Sequence, residues 1–161
     1  KIGYRPAYMH IADSIKEGII QIEKVGNAKK CLLMLESPKT RHLLEEIDIL
    51  RKEELFKKNP KLKAVIESLI SKLTEKLISE IHSVVLFGSY AKGTATKQSD
   101  IDLLFIVSDL KARNSRELIE RESANCQYSY NIKVSPLITD IAEFKKMLKA
   151  KELNVGKEAK T

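Results

Sequence analysis

VVLFGSYAKGTATKQSDIDLLFIV, residues 84–107, is the stretch from which the rest of this chain can be read. It opens on a β-branched and apolar run (Val84, Val85, Leu86, Phe87) and breaks at Gly88-Ser89. Ten residues later Asp100 and Asp102 lead a second apolar run. The pattern predicts strand, turn, strand. Side chains alternate faces along a strand, so Asp100 and Asp102 point the same way and can share metal ions, while Ile101 points to the opposite face. A hard cation such as Mg2+ takes one or two carboxylates and completes its shell with substrate phosphate oxygens, which suits such a pair. Gly88 has no Cβ to hold a phosphate away from the backbone, and Ser89 offers a hydroxyl and a backbone N–H at an expected helix start. An ordinary polar hairpin would explain Ser99 and Asp100 as turn residues. It leaves Asp102 inside an apolar strand, where a carboxylate needs a partner or a metal.

Gly88-Ser89, ten residues, then Asp100-x-Asp102 resembles the signature of the DNA polymerase β-like nucleotidyltransferase superfamily. Ala91, Gly93 and Ser99 within the spacer are similar to its small members, the minimal nucleotidyltransferases. The resemblance implies an α/β (α+β) fold, a small mixed β-sheet with packed helices. It also implies Mg2+-dependent transfer of a nucleoside monophosphate, AMP for example, from an NTP such as ATP to a hydroxyl acceptor. On it, Asp100 and Asp102 are the catalytic pair that holds one or two metal ions, Gly88 and Ser89 cradle the nucleotide phosphates, and Lys92 neutralises phosphate charge. Small members of the family act as antitoxins that add AMP to a toxin of the HEPN class, so a protein acceptor is implied. Antibiotic and nucleic-acid acceptors stay open, because a fold does not choose its acceptor.

The resemblance also raises a difficulty. Members competent in turnover carry a third carboxylate on the strand beside the Asp-x-Asp strand. The comparable run here is Asn131-Ile132-Lys133-Val134-Ser135, with Lys133 or Ser135 where the acid is expected. Asp140 is the nearest other acid, and with Thr139 and Glu143 it reads better as the cap of a following helix. Glu120 and Glu122 read as surface charges on the preceding helix. Two carboxylates can still hold Mg2+ when a triphosphate supplies the remaining oxygens.

Composition sets the frame. The 161 residues are 43% hydrophobic and 32% charged, as in an ordinary globular protein, and suit one or two small domains. No apolar run reaches the length of a membrane span and no signal-peptide pattern opens the chain, so no membrane partner is expected and the expected location is cytoplasmic. Cys31 and Cys126 lack any CxxC partner and read as small buried or half-buried thiols rather than zinc ligands. A formal charge of +7 favours polyanionic partners without deciding the fold.

Before the signature, Arg5 to Ile20 predicts a helix with Pro6 in its first turn, followed by two short strands, Gln21 to Val25 and Lys29 to Leu35, around the turn residues Gly26-Asn27. Helix plus hairpin resembles the second half of a winged helix-turn-helix, with the preceding helices missing or reduced. On that resemblance Arg5, Tyr8 and His10 face duplex DNA, and Lys29 and Lys30 on the wing meet phosphates. A helix and hairpin used for packing or homodimerisation fits the same pattern. Lys39 to Lys58 predicts a linker helix closed by Pro60, and Leu62 to Ser79 a second helix with Ile66, Leu69, Ile70, Leu73 and Leu77 on one stripe. Beyond the signature a polar helix from Leu110 to Asn125, a third strand from Tyr128 to Ile138 interrupted by Pro136, and a helix from Ile141 to Lys149 complete the chain. The expected division is a partial winged helix over 1–37, the linker helix over 38–60 and a transferase domain over 61–161. The second function compatible with the sequence is a winged-helix DNA-binding transcriptional regulator whose transferase domain only binds nucleotide or is inactive.

Overall fold

The computed structural model describes residues 3–109 and 113–149. Its contacts divide the chain into two units, Lys1–Lys58 and Asn59–Thr161. Leu110, where the polar helix was expected to open, and the Lys/Glu-rich end beyond Lys149 lie outside the described residues.

The first unit contains α1 (Tyr4–Lys16), an antiparallel hairpin of β1 (Ile20–Val25) and β2 (Ala28–Leu33), and α2 (Pro38–Lys58). The expected first helix stops short of Ile20, which is already paired with Leu33 in the hairpin. Val25 pairs with Ala28, so the connection is the two residues Gly26-Asn27. Gly26 has φ +60 and Asn27 does not, the pattern of a II′ turn, whose twist matches that of the strands and which asks for glycine at its first central position. The start of α2 is tied back to the hairpin: Thr40 is fully buried and its hydroxyl donates to the Ile19 carbonyl at 3.3 Å. Lys39 pairs with Glu17 at 3.2 Å. Among the described residues of this unit only Ile19 and Thr40 are buried. Cys31, expected to be buried or half-buried, is exposed on β2, a strand whose residues are exposed except for Leu32.

The second unit is built on a three-stranded sheet in the order β3-β4-β5, with β3 (Ile81–Phe87) antiparallel and β5 (Val134–Asp140) parallel to the central β4 (Ile101–Val107). Every residue of β4 is buried except Asp102. A central strand covered on both faces reads as a continuous apolar run, which is why Leu103 to Val107 do not alternate with polar residues. Helix α3 (Pro60–Leu77) buries Leu62, Val65, Leu69, Leu73 and Leu77. The stripe therefore lies one step round the helix from the expected one, leaving Ile66 and Ile70 half-buried on its flank. It packs against α5 (Arg113–Tyr130), which in turn lies on β5, while α6 (Ile141–Lys149) touches β4 and β5.

Two expectations change here. The third strand does not begin at Tyr128: α5 runs on through Tyr130 and ends at Asn131, whose φ of +48 and N–H bond to the Gln127 carbonyl close the helix in the left-handed conformation. Glu122 is not a surface charge. It is 8% exposed, and its carboxylate takes the Asn125 amide at 3.2 Å and the Arg121 guanidinium at 3.3 Å, which hold its pKa below the usual range against the opposing effect of burial. Glu120 stays exposed beside Arg116. Pro136 sits within β5, and an edge strand is where the sheet tolerates a missing N–H. Asp140 accepts the Glu143 N–H at 2.7 Å, the capping role expected of it.

The buried stripe of α3 makes a quantitative expectation. Leu69→Ala should lower the unfolding free energy by about 3 kcal/mol, and Ile70→Ala on the same turn by about 1 kcal/mol or less. Urea denaturation of the whole chain followed by circular dichroism would show the difference, and equal losses would place the core on the wrong face of the helix.

Candidate functional site

The site forms where the end of β3 meets the start of β4. In the antiparallel register Phe87 lies opposite Asp102, so the chain leaves β3 at Gly88 directly beside the Asp102 carboxylate. Gly88 has φ +70, and a Cβ built on it would collide with the Asp102 side chain, lying 3.0 Å from Cγ. Only glycine meets both conditions. From Gly88 the chain turns into α4 (Gly88–Lys92), and the Ser89 carbonyl accepts the Thr94 N–H at 2.9 Å, closing the loop on itself. The remaining spacer is folded by Thr96 and Ser99. The Thr96 N–H donates to Ser99 Oγ at 2.8 Å, and the Ser99 N–H donates to the Thr96 carbonyl at 3.1 Å. Ten residues is the length these turns need to bring Asp100 back to the sheet.

The parallel pairing with β5 fixes what faces the two aspartates. Ile101 pairs with Val134 and Asp102 with Ser135, so Lys133 is one rung before the pair and level with Asp100. The Ile101 N–H donates to the Lys133 carbonyl at 2.9 Å and locks that rung. Asp100, Asp102, Lys133 and Ser135 thus share one face at one end of the sheet. Lys133 Nζ reaches Asp100 Oδ2 at 2.5 Å, and Ser135 Oγ donates to the same oxygen at 3.1 Å. The Lys133 bond, assisted by Ser135, holds the Asp100 carboxyl below the usual carboxylate range, and the Asp100 carboxylate in turn raises Lys133. Among the described residues no group of three or more His, Cys, Asp or Glu side chains is placed to hold a metal ion. The position where a third acid was sought therefore holds a serine hydroxyl and an ammonium group.

Beside Asp100 opens a polar cleft of about 590 Å3, lined among others by Lys61, Tyr90, Lys97, Asn131 and Lys133. Lys61 donates to the Asn131 carbonyl at 3.3 Å. The sequence pointed to Gly88, Ser89, Asp100 and Asp102, which the fold gathers around one turn and one strand end. Of these residues only Asp100 lines the cleft; Gly88, Ser89 and Asp102 do not, nor does Lys92, which the sequence also named and which is exposed at the end of α4. Sequence reasoning missed Lys61, Tyr90 and Lys97. Tyr90 and Lys97 lie inside the spacer and were open to inspection, whereas Lys61 reaches the cleft only because α3 packs on α5. Arg5, Tyr8, His10, Lys29 and Lys30 are all exposed in the first unit.

The linkage between Asp100 and Lys133 has a definite sign. The stabilisation from Asp100 is present above its ordinary pKa and is lost as pH falls through its lowered folded value. That from Lys133 is present below its ordinary pKa and is lost as pH rises through its raised value. The pair is thus fully formed across the neutral range. In the metal-free chain Lys133→Met should move the Asp100 carboxyl titration upward, toward the ordinary aspartate value, in a 13C NMR titration. An unmoved titration would mean that the ion pair does not set the charge state of Asp100.

Residues 62–159, well over half of the chain, match the family model described as a nucleotidyltransferase domain. A Methanocaldococcus jannaschii protein named "Putative protein adenylyltransferase MJ1305" is 36% identical over 81 residues, covering 49% of this chain and 55% of the relative. A second from the same organism, "Putative protein adenylyltransferase MJ0141", is 28% identical over 74 residues, 46% of this chain and 75% of the relative. A third, "Putative protein adenylyltransferase MJ0604", is 42% identical over 41 residues, 26% of this chain and 41% of its own length. The chain thus spans little more than half the length of the first of these relatives. No solved structure matches the chain. With a glycine turn closed onto an aspartate strand, and a family match that covers both, this chain belongs to the nucleotidyltransferase domain family.

Proposed function

We propose that the chain transfers AMP from ATP to a hydroxyl group of a protein acceptor and releases pyrophosphate. The observation that carries this reading is the closure of Gly88 onto Asp102, which places a backbone turn able to approach a phosphate beside a carboxylate on the strand end. The names of the three relatives support protein adenylylation within the nucleotidyltransferase family. The acceptor O–Pα bond forms as the bond from Pα to the oxygen bridging to Pβ breaks, with the electron pair leaving on pyrophosphate and the acceptor's hydroxyl proton passing to solvent.

The roles follow from position. Gly88 and Ser89 line the turn on which the triphosphate would rest, and the lysines of the cleft, Lys61 and Lys97, would balance its charge as it moves onto the leaving group. Asp100 and Asp102 are the oxygen donors that would hold a divalent cation, Mg2+ by the hardness of those donors, together with triphosphate oxygens. When bound, that cation supplies Lewis-acid polarisation of the reacting phosphate. The donor set fits such an ion because the Gly88 turn leaves the Asp102 carboxylate in place without a Cβ against it. Tyr90 lines the cleft, and its ring would serve a base by stacking. A toxin of the HEPN class is one acceptor that fits the resemblance of the small members.

A second reading rests on the first unit. There a helix and a two-residue hairpin expose Arg5, Tyr8, His10, Lys29 and Lys30, a set suited to duplex DNA through phosphate contacts. In that reading the transferase unit senses nucleotide for a regulator.

Incubation of the chain with α-32P-ATP, Mg2+ and candidate protein acceptors separates the two. Label transfer that falls at least a hundredfold in Asp100→Asn/Asp102→Asn is the expected result. Absence of transfer to every acceptor, together with salt-dependent duplex binding weakened by Arg5→Ala and Lys29→Ala/Lys30→Ala, would favour the regulator instead.

A further inference from the structure

We propose that the Lys133 ammonium stands on Asp100 in place of a second divalent cation, so that this chain loads one metal ion with its nucleotide and Lys133 sets its metal requirement. The inference rests on the transferase reading above.

Four observations lead to it. The backbone of Lys133 is brought level with Asp100 by the parallel register of β4 and β5, where the Ile101 N–H is bonded to the Lys133 carbonyl. Its ammonium and the Ser135 hydroxyl both land on Asp100 Oδ2, while Oδ1 takes part in neither bond. Among the described residues no third acidic, histidine or cysteine side chain joins the pair, so a second ion would have to take Oδ2 from Lys133 and find no carboxylate in return. Lys133 is also a lining residue of the polar cleft beside the site, where its charge can serve phosphate oxygens as well as Asp100.

Charge gives the expected size. Asp100 and Asp102 alone present two negative charges, and with Lys133 the three side chains sum to one. A unit charge placed at about 5 Å from a divalent ion changes its affinity on the order of tenfold in a water-like dielectric. The ammonium also has three donors and no preference for octahedral geometry, so it can hold Asp100 in place before the nucleotide arrives. Lys133 acts here as a positioning residue that works through Asp100.

The test counts bound Mn2+ by electron paramagnetic resonance, which reads the free ion and is independent of turnover. In the nucleotide-free chain Lys133→Gln should bind Mn2+ on the order of tenfold more tightly than the native chain, Lys133→Asp more tightly again, and Lys133→Arg as weakly as the native chain. With α,β-methylene-ATP present, the native complex should hold one Mn2+ and the Lys133→Asp complex two. The Lys133 side chain is 58% exposed, so these variants should fold, and circular dichroism checks that they do. Unchanged or weaker Mn2+ binding in Lys133→Gln, or two ions in the native complex, would overturn the proposal. If no form binds the nucleotide, the transferase reading fails, and the nucleotide-free titration still decides what Lys133 does.

Discussion

The second unit depends on one steric condition: at residue 88 the chain must turn with positive φ while pressed against the carboxylate of Asp102. A hydrogen fits there and a methyl group does not. The same condition fixes three things. It ends β3, sets the register Phe87 to Asp102, and brings the glycine turn and the aspartate strand to one place. Everything else in the unit holds that meeting point still. The leucine stripe of α3 packs on α5, α5 lies on β5, and β5 pairs in parallel with β4, so the strand end that carries the aspartates is braced from its buried side.

That bracing also decides the electrostatics. Parallel pairing in register puts Lys133 beside Asp100 and Ser135 beside Asp102. In this family a third acid is expected on that strand, and here its place holds one cation and one hydroxyl. The pair of side chains that the sequence offered as a metal site is therefore half-neutralised before any ligand arrives. On the proposed transferase reading, the phosphate oxygens of a bound nucleotide would complete the shell of any ion held there.

Much of this was legible in the sequence, for definite reasons. The signature could be read because two apolar runs bracket a glycine and two aspartates at strand spacing, and β4 could be read because a doubly covered strand is apolar throughout. The hairpin announced itself through Gly26-Asn27. The start of β5 could not be read. Tyr128 and Tyr130 favour strands by propensity, yet they finish a helix, because Asn131 rather than a proline or glycine ends it. The burial of Glu122 was hidden too: its partners Arg121 and Asn125 lie on its own helix and look like ordinary surface residues until α5 packs. Lys133 was noticed as a missing acid. That it grips Asp100 became visible only with the register of β5, which no local pattern encodes.

The most direct measurement is a crystal structure of the chain with α,β-methylene-ATP and Mn2+, with the metal located by its anomalous signal. One peak is expected, held by Asp100, Asp102 and the triphosphate, with the phosphates lying over Gly88 and Ser89 and Lys133 still on Asp100. A nucleotide bound elsewhere, or a metal held without either aspartate, would contradict it.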